Sequence, residues 1–510
     1  MRASECSILW FPMCLIAAAY SDPTFLTYTF LVLAILLALG FEFVNGFHDT
    51  ANAVATVIYT NTLKATPAVV WSGIWNLIGV LTSSGLVAFG IVALLPVELV
   101  LNIGSASGFA MVFSLLISAI LWNLGTWYFG LPASSSHTLI GSIIGVGLAN
   151  SLMGPAHSFS EGVNWAKAQD IGLGLLISPF VGFCAAALLL LLCKALVKNP
   201  SLYRAPQGET PPPFWIRSIL MLTCTGVSFA HGSNDGQKGM GLIVLILVGI
   251  LPGTYALKMA TDHSTVADIA ISAKSLGTIF EKSAGGAATT DQESNNALTN
   301  YIKASGTISP RVFAALANKC DDLFQRLGSS KTLQDLPAGE RGSVRTDLYL
   351  ISKTLAKMEK TGVLTDPTER AQAAKLKKNG EELTNFIPSW VKYAVALALG
   401  LGTMIGYRRI VVTVGEKIGK GHMTYAQGGA AELVAMSTIL AANHFGLPVS
   451  TTHVLTSGVA GTMSANKSGL QMATLRNILL AWILTLPVCI FLGALLFAFG
   501  LNLIALLGMN

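Results

Sequence analysis

The chain has 510 residues, of which 52% are apolar and only 11% are charged, and its formal net charge is +6. Soluble proteins carry about 25% charged residues, so this composition excludes an ordinary soluble domain. The mean hydropathy of +0.61 is typical of a protein that crosses the bilayer several times. The excess positive charge lies mostly in short loops, so no nucleic-acid partner is expected.

The chain begins with an apolar, signal-like stretch. Residues 1–25 carry one Arg and several small residues, and the pattern is open between a signal peptide and an extra membrane segment. Long apolar stretches follow, and about 20 such residues span the hydrocarbon core. The first membrane repeat, residues 26–193, is predicted to contain five segments: 26–60, 67–94, 107–129, 134–150 and 171–193.

A linker rich in Lys, Arg and Pro, residues 194–215, precedes a second apolar region. This region begins at 216–252 and resumes over 388–510. Between these parts, residues 253–387 hold more than half of the acidic residues of the chain, which predicts a soluble insert. The second repeat is predicted to contain the segments 216–252, 388–407, 425–446, 451–464 and 476–500.

Two polar elements occur twice. FGLPASSSHTLIGSIIG at 129–145 and FGLPVSTTHVLTSGVAG at 445–461 share eight of seventeen positions. Before them stand GFHDTANA at 46–53 and HGSNDGQKG at 231–239. The spacing from the first element to the second is 83 residues in one copy (49 to 132) and 213 in the other (235 to 448). The excess of 130 matches the insert, so the chain is predicted to contain two related repeats.

Basic residues in short loops indicate the cytoplasmic side. The loops 194–217, 408–422 and 467–476 carry Lys and Arg, whereas 95–106 carries none. Counting crossings then inverts the second repeat and places the insert outside. The predicted fold is an all-α polytopic membrane protein. It has two inverted repeats of about five segments each, broken or re-entrant helices at the midplane, and one soluble insert.

Ionisable groups within apolar segments cost at least a few kcal/mol and therefore mark functional positions. Asp49 and Asp235 are such groups, and Asn52, Asn234 and Lys238 accompany them. Glycines at 46, 232, 236 and 239 predict breaks in both helices, which would expose backbone N–H and C=O groups to ions. The paired elements are therefore predicted to bind ions.

Pro132 and Pro448 interrupt a helix, and hydroxyl residues follow each of them directly. These hydroxyls can cap the next helix or donate to an oxyanion. They are Ser134, Ser135, Ser136, Ser450, Thr451 and Thr452. Many neutral donors beside two aspartates and a lysine predict a small oxyanion that binds with a cation, which is Na⁺, a proton or a divalent metal.

The repeated elements GFHDTANA, HGSNDGQKG, LPASSSHTLIG and LPVSTTHVL resemble the paired signatures of the Pit-type inorganic phosphate transporters. The resemblance covers both membrane halves, and NLGTWYFGLPASSSHTLIG and GEKIGKGHMTYAQG are similar to the bacterial low-affinity, proton-linked branch. It implies symport of phosphate across the inner membrane, as a metal–phosphate complex moving with a proton. The resemblance implies that Asp49, Asn52, Asp235 and the hydroxyl clusters bind substrate.

The chain differs from sodium-coupled members of this family at two positions. His48 precedes Asp49 where those members have Asn, and Lys238 stands where they have a second Asn. An ammonium group beside Asp235 would replace a bound Na⁺, which favours proton coupling. Either Asp49 or His48 is expected to titrate, and Asp235 is a further candidate residue for binding the coupling ion. Glu432, in a Glu-Leu pair that resembles one in the family, is a further candidate coupling residue.

Other functions remain open at this point. The alternatives are a sodium-coupled phosphate symporter and a permease for another oxyanion, such as sulfate or arsenate. A hydrolase is disfavoured because SSSH lacks a G-x-S-x-G element and the duplication would repeat the catalytic residues. We expect no enzyme activity and no covalently bound cofactor. The expected partners are phosphate, the lipid bilayer, a co-transported proton or Na⁺, and a divalent metal such as Mg²⁺ whose ligands the sequence does not identify. The insert is expected to gate access or to stabilise a homodimer.

Overall fold

The computed structural model describes residues 24–95, 100, 104–153, 162–303, 305–328 and 332–506. The N-terminal segment predicted at 1–25 therefore lies outside the described residues, except for its last two. Within the described ranges every regular element is a helix, which confirms the all-α class. The described residues within 34–96, 110–244 and 387–510 form one compact unit, and those within 24–33, 97–109 and 245–386 form a second.

The first half of the chain forms seven longer helices among the described residues. They are α1 (Phe25–Asp49), α2 (Ala51–Tyr59), α3 (Ala65–Thr82), α4 (Leu86–Val92), α5 (Ala106–Tyr128), α6 (Ser135–Met153) and α7 (Trp165–Leu196). A short 3₁₀ turn, Pro200–Tyr203, follows in the linker.

The second half begins with α8 (Phe214–Ile250) and the short α9 (Pro252–Tyr255). The helices that follow are α10 (His263–Ser283), α11 (Asp291–Ile302), α12 (Pro310–Gly328), α13 (Ala338–Lys360), α14 (Pro367–Thr384), α15 (Ser389–Met404), α16 (Arg408–Glu416), α17 (Tyr425–His444), α18 (Thr451–Ala465) and α19 (Met472–Leu506). A 3₁₀ turn, Leu333–Asp335, lies between α12 and α13.

All ten predicted apolar segments are mostly helical, and two of them, 26–60 and 67–94, are each divided into two helices. Six described spans are long and apolar enough to cross a membrane, or up to seven when one bent pair is counted as a single span. The remaining predicted segments differ for two reasons. α15 and α18 have only 16 and 15 residues, and α8 and α17 carry polar residues in their interiors. The chain is nonetheless a multi-pass membrane protein.

The first polar element interrupts a helix, as the sequence predicted. α1 ends at Asp49 and α2 begins at Ala51. Between them, the hydroxyl of Thr50 donates to the carbonyls of Gly46 (2.6 Å) and Thr403 (2.9 Å). The proline loops at 132 and 448 likewise separate two helices each. These breaks place polar groups of separate helices next to one another.

The predicted break in the second polar element is wrong. α8 runs without interruption from Phe214 to Ile250. Its glycines serve close packing: a Cβ on Gly232 would lie 2.1 Å from the carbonyl oxygen of Asn76, and one on Gly236 would lie 2.6 Å from the side chain of Val80. Small residues allow helix backbones to approach in this way in membranes. The glycines therefore bring α8 against α3 and leave the helix intact.

Helices of the two halves pack in a crossed pattern. α6 packs against α19, α18 against α7, and α3 against α15. Glycines again mark the closest approaches: a Cβ on Gly145 would lie 2.1 Å from the carbonyl oxygen of Ile490, and one on Gly461 would lie 2.2 Å from that of Phe183. In each contact, a helix of one half buries its glycine against the other half.

Helices α10–α14 surround an apolar core of their own. Leu276, Phe280, Leu323, Leu348 and Ile351 are among its fully buried residues. α12 has an apolar side and a polar side, as expected of a helix at a water-exposed surface. This part of the chain therefore forms a helical bundle with a hydrophobic core of its own.

A buried ion pair lies inside this bundle. The Nζ atom of Lys319 is 2.9 Å from Asp347 Oδ1 and also contacts Asp291, and both Lys319 and Asp347 are only 2% exposed. Burial opposes the charge on Lys319, but the two carboxylates outweigh it and raise the pKa of the ammonium. Burial raises the pKa of Asp347 to about 6, against the attraction of Lys319. The pair joins α12 to α13.

We expect Lys319→Met to destabilise the bundle by roughly 3 kcal/mol, because it leaves a buried carboxylate without its partner. Hydrogen–deuterium exchange of the intact protein should show faster exchange in α12 and α13. Lys375→Met is the matched control, since Lys375 pairs with Asp268 at the surface, where such pairs contribute little. Equal exchange in the two variants would contradict a stabilising ion pair.

The close packing of α15 against α1 can be tested with two glycine substitutions. A Cβ on Gly46 would lie 2.3 Å from the carbonyl oxygen of Leu399, whereas one on Gly40 of the same helix meets no atom within 4 Å. Gly46→Ala should lower the free energy of unfolding by about 1–3 kcal/mol, as overpacking does. Gly40→Ala should be neutral. Thermal unfolding of both variants in detergent measures the difference, and similar melting temperatures would refute this packing.

Candidate functional site

Both copies of the hydroxyl-rich loop reach one carboxylate. Asp49, only 2% exposed, accepts a hydrogen bond from Ser135 Oγ at 3.1 Å and another from Thr452 Oγ1 at 2.5 Å. Ser135 begins α6 in the first half, and Thr452 lies in the first turn of α18 in the second half. Two segments more than 300 residues apart therefore stabilise the same buried charge.

Asn52 extends this network from the start of α2. Its Nδ2 donates to Thr451 Oγ1 (3.3 Å) and Thr452 Oγ1 (3.0 Å). The hydroxyl of Thr452 in turn donates to Asp49, so hydrogen bonds connect Asn52 to this carboxylate through Thr452. The Oδ1 atom of Asn52 is buried and has no hydrogen-bond partner, which leaves an acceptor beside the two hydroxyls.

The second polar element presents three side chains on one face of α8. Asp235 Oδ2 lies 2.6 Å from Lys238 Nζ and 3.5 Å from His231 Nε2. The same imidazole nitrogen is 3.7 Å from Asp49 Oδ2. His231 thus connects the two aspartates that the sequence singled out. His231 is not among the site residues predicted from the sequence, although its position four residues before Asp235 puts both on one helix face.

The hydrogen bonds around His231 define its tautomer. Asn76 Nδ2 donates to Thr403 Oγ1 at 3.0 Å, so Asn76 Oδ1 is the atom that faces His231 Nδ1 at 2.8 Å. A carbonyl oxygen only accepts, and Nδ1 must therefore carry hydrogen. The neutral ring then points a lone pair at two carboxylates. This arrangement is favourable only when a proton or a metal ion lies at Nε2.

His48 contacts the opposite side of Asp49. Its Nδ1 lies 3.3 Å from Asp49 Oδ1, and its Nε2 lies 3.0 Å from the hydroxyl of Thr126. That hydroxyl donates to the carbonyl of Trp122 at 2.9 Å, so it accepts from His48 Nε2. The Nδ1–Asp49 contact therefore needs a proton on one of its two partners. Two imidazoles therefore flank Asp49: the His48 contact needs a proton, and the His231 contact needs a proton or a metal ion.

The side chains of four other predicted site residues form hydrogen bonds with protein groups away from Asp49. The hydroxyls of Ser134 and Ser450 cap α6 and α18 by accepting from His137 N (3.3 Å) and His453 N (3.1 Å), as the cap pattern indicated. Ser136 donates to the carbonyl of Val449 at 3.0 Å. Asn234 donates to Asn443 Oδ1 at 2.7 Å. None of these four bonds involves Asp49, and all of them hold the loops in place.

Glu432 lies in a separate polar cluster. It is fully buried on α17 and accepts hydrogen bonds from the hydroxyls of Thr56 and Thr223. Neither bond involves a residue of the polar elements around Asp49 and Asp235. Glu42, by contrast, accepts from the backbone N–H of Gly239 at 2.6 Å. A carboxylate outside the predicted site set therefore contacts the second polar element directly.

The histidines of the two repeated loops meet each other. The rings of His137 and His453 are 4.6 Å apart, and Trp482 stacks on His453 at 4.0 Å. The indole N–H of Trp482 donates to the carbonyl of Pro132 at 2.8 Å. This contact joins a second-half helix to the first-half loop, so the two loops lie side by side.

Asp49, His231 and Asp235 could together hold a metal ion. Each offers one ligand atom, and these atoms lie within 4.8 Å of one another. The set combines two carboxylate oxygens with an imidazole nitrogen. Mg²⁺ binds mainly oxygen ligands, whereas Mn²⁺ and Zn²⁺ accept nitrogen as well. The donor set fits a first-row divalent metal better than it fits Mg²⁺.

Most of the chain matches one known protein family. Residues 45–493 match the model of the phosphate transporter family. The chain belongs to this family. It is 42% identical to the low-affinity inorganic phosphate transporter PitA of Escherichia coli, over 91% of this chain and 95% of that protein. It is also 42% identical to PitB of the same organism, over 93% and 97%. The predicted family is confirmed.

A solved structure supports the fold. It is a sodium-dependent phosphate transporter, with a TM-score of 0.51 and 19% identity, covering 93% of this chain and all of that chain. At this identity the likeness concerns architecture alone. Membership of the family and the six or seven apolar spans identify the chain as an integral membrane protein.

The donor to Asp49 can be tested by an isosteric change. Thr452→Val removes a hydrogen bond to a charged group, for which about 1.5–3 kcal/mol is typical. We expect phosphate uptake by cells lacking other phosphate transporters to fall about tenfold or more. Thr462→Val is the matched control on α18, because that hydroxyl donates only to its own helix, at Val459 O. Equal uptake in the two variants would contradict a functional donor at Thr452.

Proposed function

We propose that this chain is a symporter that imports inorganic phosphate, as a metal–phosphate complex with protons, across the cell membrane. The observation that carries the proposal is the convergence of Ser135 and Thr452 on the buried carboxylate of Asp49. A site built from both halves changes its exposure when the halves move relative to one another, as alternating access requires. The relatives are named as phosphate transporters, and no catalysis is proposed.

The proposed architecture has two inverted repeats, 26–193 and 216–252 with 388–510. The linker 194–215 is cytoplasmic, and the soluble insert 253–387 is periplasmic. The crossed packing of α6 on α19 and of α18 on α7 supports the repeat, because equivalent helices make equivalent contacts with the opposite half, whereas the inversion and the two sides follow from the basic loops. Gating of access or dimerisation by the insert stays a prediction, as does an additional membrane or signal segment at 1–25.

Phosphate would bind where the donors of both loops meet. Ser135, Thr452 and Asn52 donate to Asp49 or to the threonine hydroxyls in this structure, and together with Thr451 they would donate to phosphate oxygens when the anion binds. Phosphate keeps a proton near neutral pH, which a carboxylate can accept as a hydrogen bond, whereas sulfate carries none. This favours phosphate over sulfate, while arsenate is an alternative. Ser134, Ser136, Ser450 and Asn234 would position the loops.

Protons rather than Na⁺ are proposed as the coupling ion. Lys238 lies 2.6 Å from Asp235, where its ammonium group takes the place of a cation. His48 and His231 both approach Asp49 through contacts that need a proton or a metal. A sodium-coupled symporter is the alternative. Glu432, which lies in its own cluster, would contribute indirectly if it takes part in coupling.

A divalent metal would enter with phosphate as part of the cargo. Asp49, His231 and Asp235 would be its ligands, and its charge would offset that of the carboxylates and the anion. The imidazole in this set leads us to replace the expected Mg²⁺ by Mn²⁺ or Zn²⁺ as the preferred metal.

Uptake of radiolabelled phosphate into proteoliposomes tests the coupling. We expect an imposed pH gradient, acidic outside, to drive uptake at constant Na⁺, and Mn²⁺ or Zn²⁺ to increase it more than Mg²⁺. Excess sulfate should not compete. Uptake that follows only a Na⁺ gradient would refute proton coupling while keeping phosphate as substrate.

The two aspartates provide a separate test of the site. Asp49→Asn and Asp235→Asn should each abolish uptake, because the amide supplies neither the charge nor the proton acceptor. Asp170→Asn, at an exposed position near the start of α7, is the control and should keep full uptake. All three variants should reach the membrane in equal amounts. Normal uptake by either site variant would rule out the proposed site.

A further inference from the structure

A cleft of about 560 Å³ lies at the C-terminal end of α5. Its walls come from residues 127–130 and from residues 406–417, which include α16. The aromatic wall contains Trp127, Tyr128 and Phe129. The opposite wall carries Arg408, Arg409 and Lys417. None of the cleft's lining residues is acidic.

The cations of the cleft differ in how they are held. The guanidinium of Arg409 lies 5.1 Å from the ring centre of Trp127 and 4.8 Å from that of Tyr128, and it donates to the carbonyl of Tyr128 at 2.5 Å. Arg408 and Lys417 are exposed and have no ion-pair partner among the described residues. One cation is therefore fixed, and two are available to a ligand.

The position of the cleft relates it to the membrane surface. α5 is one of the helices long and apolar enough to span the bilayer, and Trp127 and Tyr128 are among its last residues. Aromatic side chains concentrate at the level of the lipid headgroups. Tyr128 is 60% exposed and Phe129 is 74% exposed. An exposed aromatic surface beside unpaired positive charges is therefore typical of a site at the level of the lipid headgroups.

We propose that this cleft binds the headgroup of an anionic phospholipid. Basic pockets between membrane helices on the cytoplasmic side suit such headgroups, and the basic loop that contains α16 is predicted to be cytoplasmic. Arg408 and Lys417 neutralise the phosphodiester, and Phe129 and Tyr128 contact the glycerol and the upper acyl chains. An inorganic anion would leave this aromatic wall without an apolar partner. The cleft volume also exceeds what a single phosphate ion fills.

Two hydrogen bonds to backbone carbonyls hold the walls of the cleft in place. Thr413 of α16 donates to the carbonyl of Gly130 at 2.8 Å, and the indole N–H of Trp127 donates to the carbonyl of Gly406 at 2.7 Å. These bonds fix both walls before any ligand binds. A preformed site loses little conformational entropy on binding.

The test uses the full-length purified protein and native mass spectrometry. Dioleoyl phosphatidylglycerol is titrated against dioleoyl phosphatidylcholine for the wild type and for the double variant Arg408→Gln, Lys417→Gln. Arg409 is left unchanged because it supports the loop. The control removes two cations outside the cleft, Lys198→Gln and Arg204→Gln in the linker. We expect phosphatidylglycerol affinity to fall about tenfold or more in the cleft variant and to stay unchanged in the control.

Three results would overturn the proposal. The first is unchanged phosphatidylglycerol binding in the cleft variant. The second is an equal loss in the control variant, which would indicate a general effect of charge. The third is displacement of phosphatidylglycerol by millimolar inorganic phosphate at constant ionic strength, which would assign the cleft to the free anion. Circular dichroism and size-exclusion profiles that match the wild type show that both double variants are folded.

Discussion

The site depends on one constraint, which is the burial of the carboxylate of Asp49 in an apolar protein within a membrane. Such a charge is tolerated only with hydrogen-bond donors or countercharges around it. The chain supplies Ser135 from the first loop, Thr452 from the second, and His48 from its own helix. Because the donors come from both halves, the stability of this charge depends on how the two halves meet. The same arrangement that stabilises Asp49 therefore makes its surroundings sensitive to motion between the halves.

Glycine makes that meeting possible. Gly46 lets α1 pack against α15, and Gly232 lets α8 pack against α3. In both contacts the facing backbone is so close that a Cβ atom on the glycine would clash with it. Each polar element thus lies on a helix whose backbone touches the other half. Thr403 is an example of the result, because its carbonyl accepts from Thr50 and its hydroxyl accepts from Asn76, which in turn orients His231. Packing and polar contacts therefore act on the same helix pairs.

Repetition made much of the site predictable. Asp49, Asn52, Ser135, Thr451 and Thr452 belong to elements that occur twice, and the structure brings these five together. His231 lacks this signal, because the residue aligned with it in the first copy is Asn45. The prediction of a helix break in α8 was wrong for another physical reason. Glycine permits both a break and a close approach, and only the neighbouring helix decides between them. The sequence also could not predict the separate position of Glu432, because that position depends on how three helices pack together.

The charges around Asp49 explain why an anion would not bind alone. With neutral imidazoles and Glu42 left out of the sum, Asp49, Asp235 and Lys238 carry one net negative charge, and a phosphate ion would add to it. Protons on His48 and His231 would turn that sum positive, and a divalent metal between Asp49, His231 and Asp235 would do the same. Glu432 cannot supply this compensation directly, because its hydrogen bonds run to Thr56 and Thr223. Under the proposed function, cation uptake is therefore an electrostatic condition of phosphate binding at this site, and coupling follows without a separate coupling residue.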